Sequence, residues 1–164
     1  MLDLRIGHGY DVHAFTGGDH VMVCGVRIPY SRGVRAHSDG DVGLHALCDA
    51  LLGAAGMPDI GQLFPDDAPQ FSGADSRVLL QQVMNRLAEA SLSPIHADIT
   101  LVAEAPKMKA HVAEMRQVLS GDLGLPRERV NVKATTTERL GALGREEGLA
   151  AHAVVLLAPS EGKC

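Results

Sequence analysis

Asp11 and His13 stand two residues apart in Arg5–His13, a run that reads as a β-strand. Period-two alternation puts both side chains on one face and Val12 on the other. The helix that carries His45 is predicted to open at Ser38, with Ser38 as N-cap and Asp41 at the third helical position in an acidic variant of the capping box. Leu44, Leu47, Cys48, Leu51 and Ala55 form its apolar stripe, which should pack on the sheet, and His45 lies off the centre of that stripe. A fold that lays this helix against that strand assembles one carboxylate and two imidazoles, a three-ligand metal set with the fourth coordination position open. Asp41, one turn before His45, is placed to receive its second ring N–H. A surface pair, or a core histidine with its hydrogen bonds satisfied, is the plain reading of the same residues. Cys24 and Cys48 are alternative soft ligands, though small buried hydrophobes describe both better.

The rest of the chain alternates. Val21–Pro29 reads as a short hairpin interrupted at Gly25, and the helix from Asp39 to about Ala55 ends where Gly56 releases it and Pro58 stops it. Residues Gly61 to Gly73 form a loop rich in Pro, Asp and Gly, a lid candidate. A second helix is predicted from Asp75 to about Ala90, with Val78, Leu79, Val83, Met84 and Leu87 on its buried face. Ser93 to Ala103 alternates as a half-buried strand with Ile95, Ala97, Ile99, Leu101 and Ala103 inward. Pro106 fits the first turn of a third helix running through Met115 and Leu119 and ending near Gly121 or Gly124. Val130–Thr135 and Ala150 to Ala158 supply two further strands. With no repeat or linker, residues 1–164 are expected to form one α+β domain, a two-layer sandwich of a mixed sheet with helices on one face. Both sides of the last strand are apolar, Val154 and Leu156 against Val155 and Leu157, so the uncovered face is expected to be buried by self-association. A central strand in a monomer is the plain alternative.

A chain of 164 residues is long enough for a core without disulfide staples, and three cysteines make no disulfide framework. No leader pattern or membrane-length apolar run is present, so a cytoplasmic protein with no membrane partner is expected. Net charge of −5 argues against a polyanion surface, and with two tyrosines, three phenylalanines and no tryptophan, nucleic acid is not an expected partner. Neither a Walker-type phosphate loop nor a dinucleotide-binding glycine fingerprint occurs.

Three further segments carry polar chemistry. Lys133–Glu138 places three hydroxyls and a carboxylate after a strand, suited to phosphate oxygens and a hard divalent cation, or to a solvated Thr-rich turn capped by Glu138. Ala105–Lys109 offers helix N–H groups and lysines to an anion, or ordinary surface lysines. Phe64-Pro65-Asp66-Asp67 places Asp66 over a polyol, or forms an acidic surface turn.

Together, Arg5–His13, His37–Asp41, Asp59–Gly61, Phe64–Asp66, Ala105–Met108 and Val132–Glu138 resemble the 2-C-methyl-D-erythritol 2,4-cyclodiphosphate synthase family of the non-mevalonate isoprenoid pathway, over essentially the whole chain. The resemblance implies a homotrimer of α+β subunits, their sheets packed around the trimer axis, with active sites between subunits. It implies Zn2+ on Asp11, His13 and His45, and Mg2+ or Mn2+ on the substrate diphosphate at Glu138. Asp59 matches the residue holding the erythritol hydroxyls, and Gly61, Phe64, Pro65 and Asp66 fall in the stretch that forms the sugar-binding loop. His37, Ser38 and Thr136 match phosphate-orienting groups, with His37 and Thr136 placed to stabilise the transferring group, and the resemblance assigns His37, Thr136 and Asp66 as the catalytic residues. Ala105, Pro106, Lys107, Met108 and Thr135–Thr137 match a cytidine pocket contributed across the interface. Arg145 is placed to meet an anion near the axis, or to be neutralised by Glu146, in a region where Ala142, Glu146 and His152 depart from the family pattern. The implied reaction is intramolecular phosphoryl transfer on 4-diphosphocytidyl-2-C-methyl-D-erythritol 2-phosphate, releasing CMP. A zinc-dependent phosphohydrolase acting on a small phosphorylated or nucleotide-linked substrate is the competing reading of the same triad.

Overall fold

The computed structural model describes residues 3–64, 73 and 75–160. Its strands are β1 (Arg5–Thr16), β2 (His20–Val23), β3 (Val26–Pro29), β4 (Gly33–Val34), β5 (Leu92–Val102), β6 (Val130–Thr135) and β7 (Gly148–Pro159). The helices are α1 (Val42–Ala54), α2 (Ile60–Leu63), α3 (Ser76–Glu89), α4 (Val112–Leu123) and α5 (Gly141–Gly144). Five strands form one sheet in the order β4-β1-β7-β5-β6, and β2 and β3 form a separate hairpin. All pairs in the large sheet are antiparallel except β5 and β6, which α4 connects as a crossover. The sheet is therefore mixed, as predicted.

Close contact between α1 and β1 follows from the glycines of the first strand. Gly7, Gly9, Asp11 and His13 alternate onto the helix side, and Gly7 and Gly9 leave no room for a side chain. A Cβ at Gly7 would lie 1.9 Å from the Ala50 carbonyl oxygen, and one at Gly9 would lie 1.9 Å from that of Ala46. The small residues Ala46, Ala50 and Ala54, at four-residue spacing, complete a smooth contact. At the N-terminal end of this contact, the same approach brings His45, the residue before Ala46, over Asp11 and His13. The fully buried Leu44, Leu47, Leu51, Leu52 and Leu80 pack with Ala97, Ile99, Ala151, Ala153 and Val155 from the same side of the sheet.

Several local expectations are corrected. Helix α1 begins at Val42, and its N-cap is Asp41, not Ser38. The Asp41 carboxylate accepts from Leu44 N at 3.0 Å and from Cys24 N and Gly25 N at 2.7 Å each, binding the β2–β3 turn to the helix start. Engaged by three backbone donors, it does not serve the ring of His45. On α3, capped by Asp75, the buried stripe is Ser76, Leu79, Leu80, Val83 and Leu87, while Val78 is 52% exposed. A register irregularity between Pro94 and His96 in β5 takes Ile95 out of the inward row. Helix α4 starts at Val112, so Pro106 stands before it in an irregular segment and not in its first turn. Gly124 ends it in the left-handed conformation.

The opposite face of β1 and β7 carries Ile6 (72% exposed), Tyr10, Val12 and Val154 without cover from the described helices. No described helix is long and apolar enough to cross a membrane.

Candidate metal centre and active site

β1 and α1 bring their three polar residues to one point. Asp11 Oδ2 lies 3.0 Å from His13 Nε2 and 2.9 Å from His45 Nδ1, and the two ring nitrogens are 3.2 Å apart. These are the ligand atoms of the metal-competent cluster found among the described residues. Around a tetrahedral zinc with bonds of ~2.0–2.1 Å, ligand atoms sit roughly 3.3 Å apart, so this N, N, O set needs little adjustment to hold the ion. Burial alone would raise the Asp11 carboxyl; the hydrogen bonds and charges of His13 and His45 overcome it and hold Asp11 well below the ordinary carboxylate range. Burial opposes charge on His45, yet its hydrogen bond to Asp11 and the charges of Asp11, Asp41 and Asp39 raise its pKa. The metal-free site is thus a negative well that prefers a cation, whether proton or metal.

The far nitrogen of His45 is also engaged. Nε2 lies 2.9 Å from Ser76 Oγ and 3.2 Å from Ser38 Oγ. Ser76 was not singled out by the sequence reading; its only sequence signal is its place next to the α3 cap, which points to helix initiation. Cys24 and Cys48 are fully buried outside the cluster, and burial pushes both thiols up, so the soft-ligand alternative fails.

Two of the three, His13 and His45, face a cavity of about 610 Å³, while Asp11 lies behind them and outside its lining. His13, His37, Ser38, His45, Gly61 and Phe64 line it, so the structure joins six of the sequence-predicted site residues. Arg35, Ala36, Ile60 and Leu79 complete the wall and were missed. Arg35 is a cation immediately upstream of His37-Ser38, a signal that sequence order could have supplied. Asp59 caps α2, accepting from Gln62 N at 2.9 Å and Gln62 Nε2 at 2.8 Å, and these bonds lower its pKa. Asp49 ties α2 to α1 by accepting from Ile60 N at 2.9 Å. Pro65 and Asp66 lie outside the described residues.

A second polar cluster forms beyond the ends of β5 and β6. Glu104 Oε1 accepts from Thr137 N at 3.2 Å and Arg139 N at 3.0 Å, and Lys107 Nζ donates to Glu104 O at 2.9 Å. The backbone N–H of Arg139 is the largest influence holding Glu104 below its ordinary pKa. Glu104, missed from sequence, thereby fastens Ala105–Met108 to Thr135–Glu138. Lys107 is exposed while Met108 is 4% exposed and packs into the core. Glu138 and Arg139 both have positive φ, 53° and 62°, a left-handed pair stored in a functional-looking turn. Neither segment lines the triad cavity among the described residues. The expected helix N–H donors at Ala105–Lys109 are corrected with the start of α4, since that segment is not helical.

Arg145 stands elsewhere, in a cavity of about 570 Å³ with Arg32 and Glu146. Its Nε donates to Glu147 Oε1 at 2.6 Å, so Glu147 and not Glu146 neutralises it.

An Asp–His–His cluster able to hold a metal ion, beside a substrate-sized cavity on a helix-covered mixed sheet, defines the class of protein as an enzyme with a candidate metal centre. Residues 4–158 match the YgbB family, and the chain belongs to that family. It is 60% identical over 157 residues, covering 96% of this chain and 98% of the relative, to the 2-C-methyl-D-erythritol 2,4-cyclodiphosphate synthase of Thioalkalivibrio sulfidiphilus. The Pseudomonas putida protein of the same name is 59% identical, over 96% of this chain and 100% of its own length. Among solved structures, the bifunctional IspDF of Campylobacter jejuni superposes with a TM-score of 0.94 at 42% identity, over 98% of this chain and 44% of that larger protein. The IspF of Plasmodium falciparum, solved as a CDP complex, gives a TM-score of 0.85 at 30% identity, over 98% of this chain and 99% of that one.

Proposed function

We infer that this chain, as one domain over residues 1–164, converts 4-diphosphocytidyl-2-C-methyl-D-erythritol 2-phosphate to 2-C-methyl-D-erythritol 2,4-cyclodiphosphate and CMP. The observation that carries the reading is the Asp11–His13–His45 cluster opening into a cavity walled by His37, Ser38, Gly61 and Phe64, in a chain about 60% identical to cyclodiphosphate synthases. An oxygen of the 2-phosphate attacks the β-phosphorus, the bond from that phosphorus to the bridging oxygen of the α-phosphate breaks, and CMP leaves with that oxygen. The nucleophile is already anionic near neutral pH, so no side chain has to remove a proton.

The chain's task is to hold two anions together. Asp11, His13 and His45 would hold Zn2+ and Glu138 would hold Mg2+ or Mn2+, cations that would supply polarisation of the β-phosphate and offset charge on the diphosphate. His37, Ser38 and Thr136 orient the phosphates. Asp59, Gly61, Phe64, Pro65 and Asp66 hold the sugar and exclude water. Ala105, Pro106, Lys107, Met108, Thr135 and Thr137 receive the cytidine, and Arg145 contacts an anion near the subunit axis. Because nucleophile and electrophile share one molecule, correct folding of the substrate supplies much of the rate.

The active body is a cytoplasmic homotrimer. The separation of the Glu104-centred cluster from the triad cavity within one chain supports composite sites, and the exposed face of Ile6, Tyr10, Val12 and Val154 supports burial between copies. Phosphorus NMR of purified protein with the substrate tests the reaction: cyclic diphosphate plus CMP is expected, whereas free phosphate would establish the hydrolase instead. Co-refolding equal amounts of His45→Ala and Lys107→Glu chains tests the sharing. About one quarter of intersubunit sites should regain both intact halves under random assembly; inactive mixed particles would exclude it.

A further inference from the structure

We propose that Ser76 and Asp39 are positioning residues for the metal centre, setting the tautomer and aim of His45 through a hydrogen-bond relay that runs from the buried Ser76 to the half-buried Asp39. This rests on the assignment of Asp11, His13 and His45 as metal ligands. The side of the His45 ring that faces Asp11 and His13 is Nδ1, at 2.9 Å and 3.2 Å. That nitrogen can ligate only if its lone pair is free, which requires the proton on Nε2. Nε2 then donates to Ser76 Oγ at 2.9 Å, and Ser76 Oγ donates its own proton to Asp39 Oδ1 at 2.5 Å. The Asp39 carboxylate can only accept, so Ser76 Oγ donates to it and is left to accept from Nε2–H, and the direction of the series is fixed by the carboxylate at its end.

The relay is held by backbone as well as side chains. Asp39 Oδ2 accepts from Ser76 N at 3.2 Å, and Asp39 Oδ1 accepts from Asp41 N at 3.2 Å. Ser76 is fully buried, so its hydroxyl cannot reach substrate or solvent and serves only the groups around it. By taking the Nε2 proton, Ser76 also releases the cavity-lining Ser38, whose hydroxyl stands farther from the ring at 3.2 Å, to turn toward a phosphate. Ser76 is the first residue of α3 and Asp39 precedes α1, so two helix starts are tied to one ligand. Partners of this kind typically alter metal affinity 10–100-fold.

Zinc affinity, measured by competition with a chromophoric chelator, and the visible spectrum of the Co2+-loaded protein test the relay in the parent, Ser76→Ala, Asp39→Asn, His13→Ala and His45→Ala. Ser76→Ala should weaken zinc binding by roughly 10–100-fold and shift the Co2+ bands. Asp39→Asn preserves shape while removing the charge that orients the hydroxyl, and should weaken binding several-fold, still shifting the bands. Parental affinity and spectrum in both relay variants, with loss in His13→Ala and His45→Ala, would overturn the relay and leave the ligand assignment standing. Parental binding in the two histidine variants would overturn the ligand assignment and the relay with it. If Ser76→Ala does not fold, Asp39→Asn decides: weakened zinc binding with shifted bands supports the relay, and unchanged values reject it.

Discussion

The Asp11–His13–His45 floor and the Glu104-centred turn contrast in how completely one chain builds them. At the floor, glycines at 7 and 9 let a helix touch a strand, every ligand has a partner, and the far nitrogen of His45 is engaged from behind. At the turn, Glu104 fastens the backbone, but Thr135, Glu138 and Lys107 remain exposed, and two successive residues sit at positive φ. One region is finished by tertiary packing. The other is a fastened turn whose Thr135, Glu138 and Lys107 are exposed, as the proposed site between subunits would require.

Removing a ligand from the finished region should do the most damage. His45→Ala is expected to lose its zinc and to slow turnover on the order of 10³-fold, with helix content retained, since several kcal/mol of charge stabilisation disappear. Metal analysis beside product formation checks this; stoichiometric zinc with normal turnover would break the comparison. Glu138→Gln, in the fastened turn, should keep that zinc and lose roughly ten- to a hundredfold in rate together with the magnesium or manganese dependence. A titration indistinguishable from the parent would make Glu138 structural.

The next effect is on stability. Gly9→Ala places a methyl where the Ala46 carbonyl oxygen already is and should cost about 3 kcal/mol, read by urea unfolding, because α1 must lift from β1. Gly141→Ala, with nothing near its Cβ, meets no such obstruction, and only its positive φ of 70° opposes it; about 1 kcal/mol is expected.

The smallest effect is the pH dependence of the metal-free protein. His45 has a folded-state pKa raised above 6.5, so its stabilisation is complete below 6.5 and is lost as pH rises through the folded value. Asp11 is held below 3.8, so its contribution is present above 3.8 and lost as pH falls through its folded value. The stabilisation from this pair should therefore be greatest between those ordinary values. Thermal unfolding followed from that window upward past the folded-state value of His45, with and without zinc, should show the alkaline loss only in the metal-free form, since the metal replaces the His45 proton.

Much of the site was legible because its signals are local. Strand alternation put Asp11 and His13 together, and the apolar stripe of α1 put His45 against the sheet. The Asp75 cap and the glycine stops of α1 and α4 were also readable, because caps and left-handed turns act within a few residues. Other expectations failed where distant groups compete for the same atoms. Ser38 and Asp41 both suit an N-cap, but the N–H groups of Cys24 and Gly25, held on a hairpin, selected Asp41 and left Ser38 to face His45.

By itself, the sequence determined which residues can ligate a metal, which faces are apolar, and membership of the family through its ordered segments. Tertiary structure decided which partner each polar group takes: Asp41 caps a helix, Ser76 and Asp39 stand behind His45, Glu104 gathers two segments far apart in sequence, and Arg145 pairs with Glu147. The physical reason is that periodicity and capping depend on neighbours along the chain, whereas a buried hydrogen bond is awarded by proximity after packing, among donors that local sequence does not bring together.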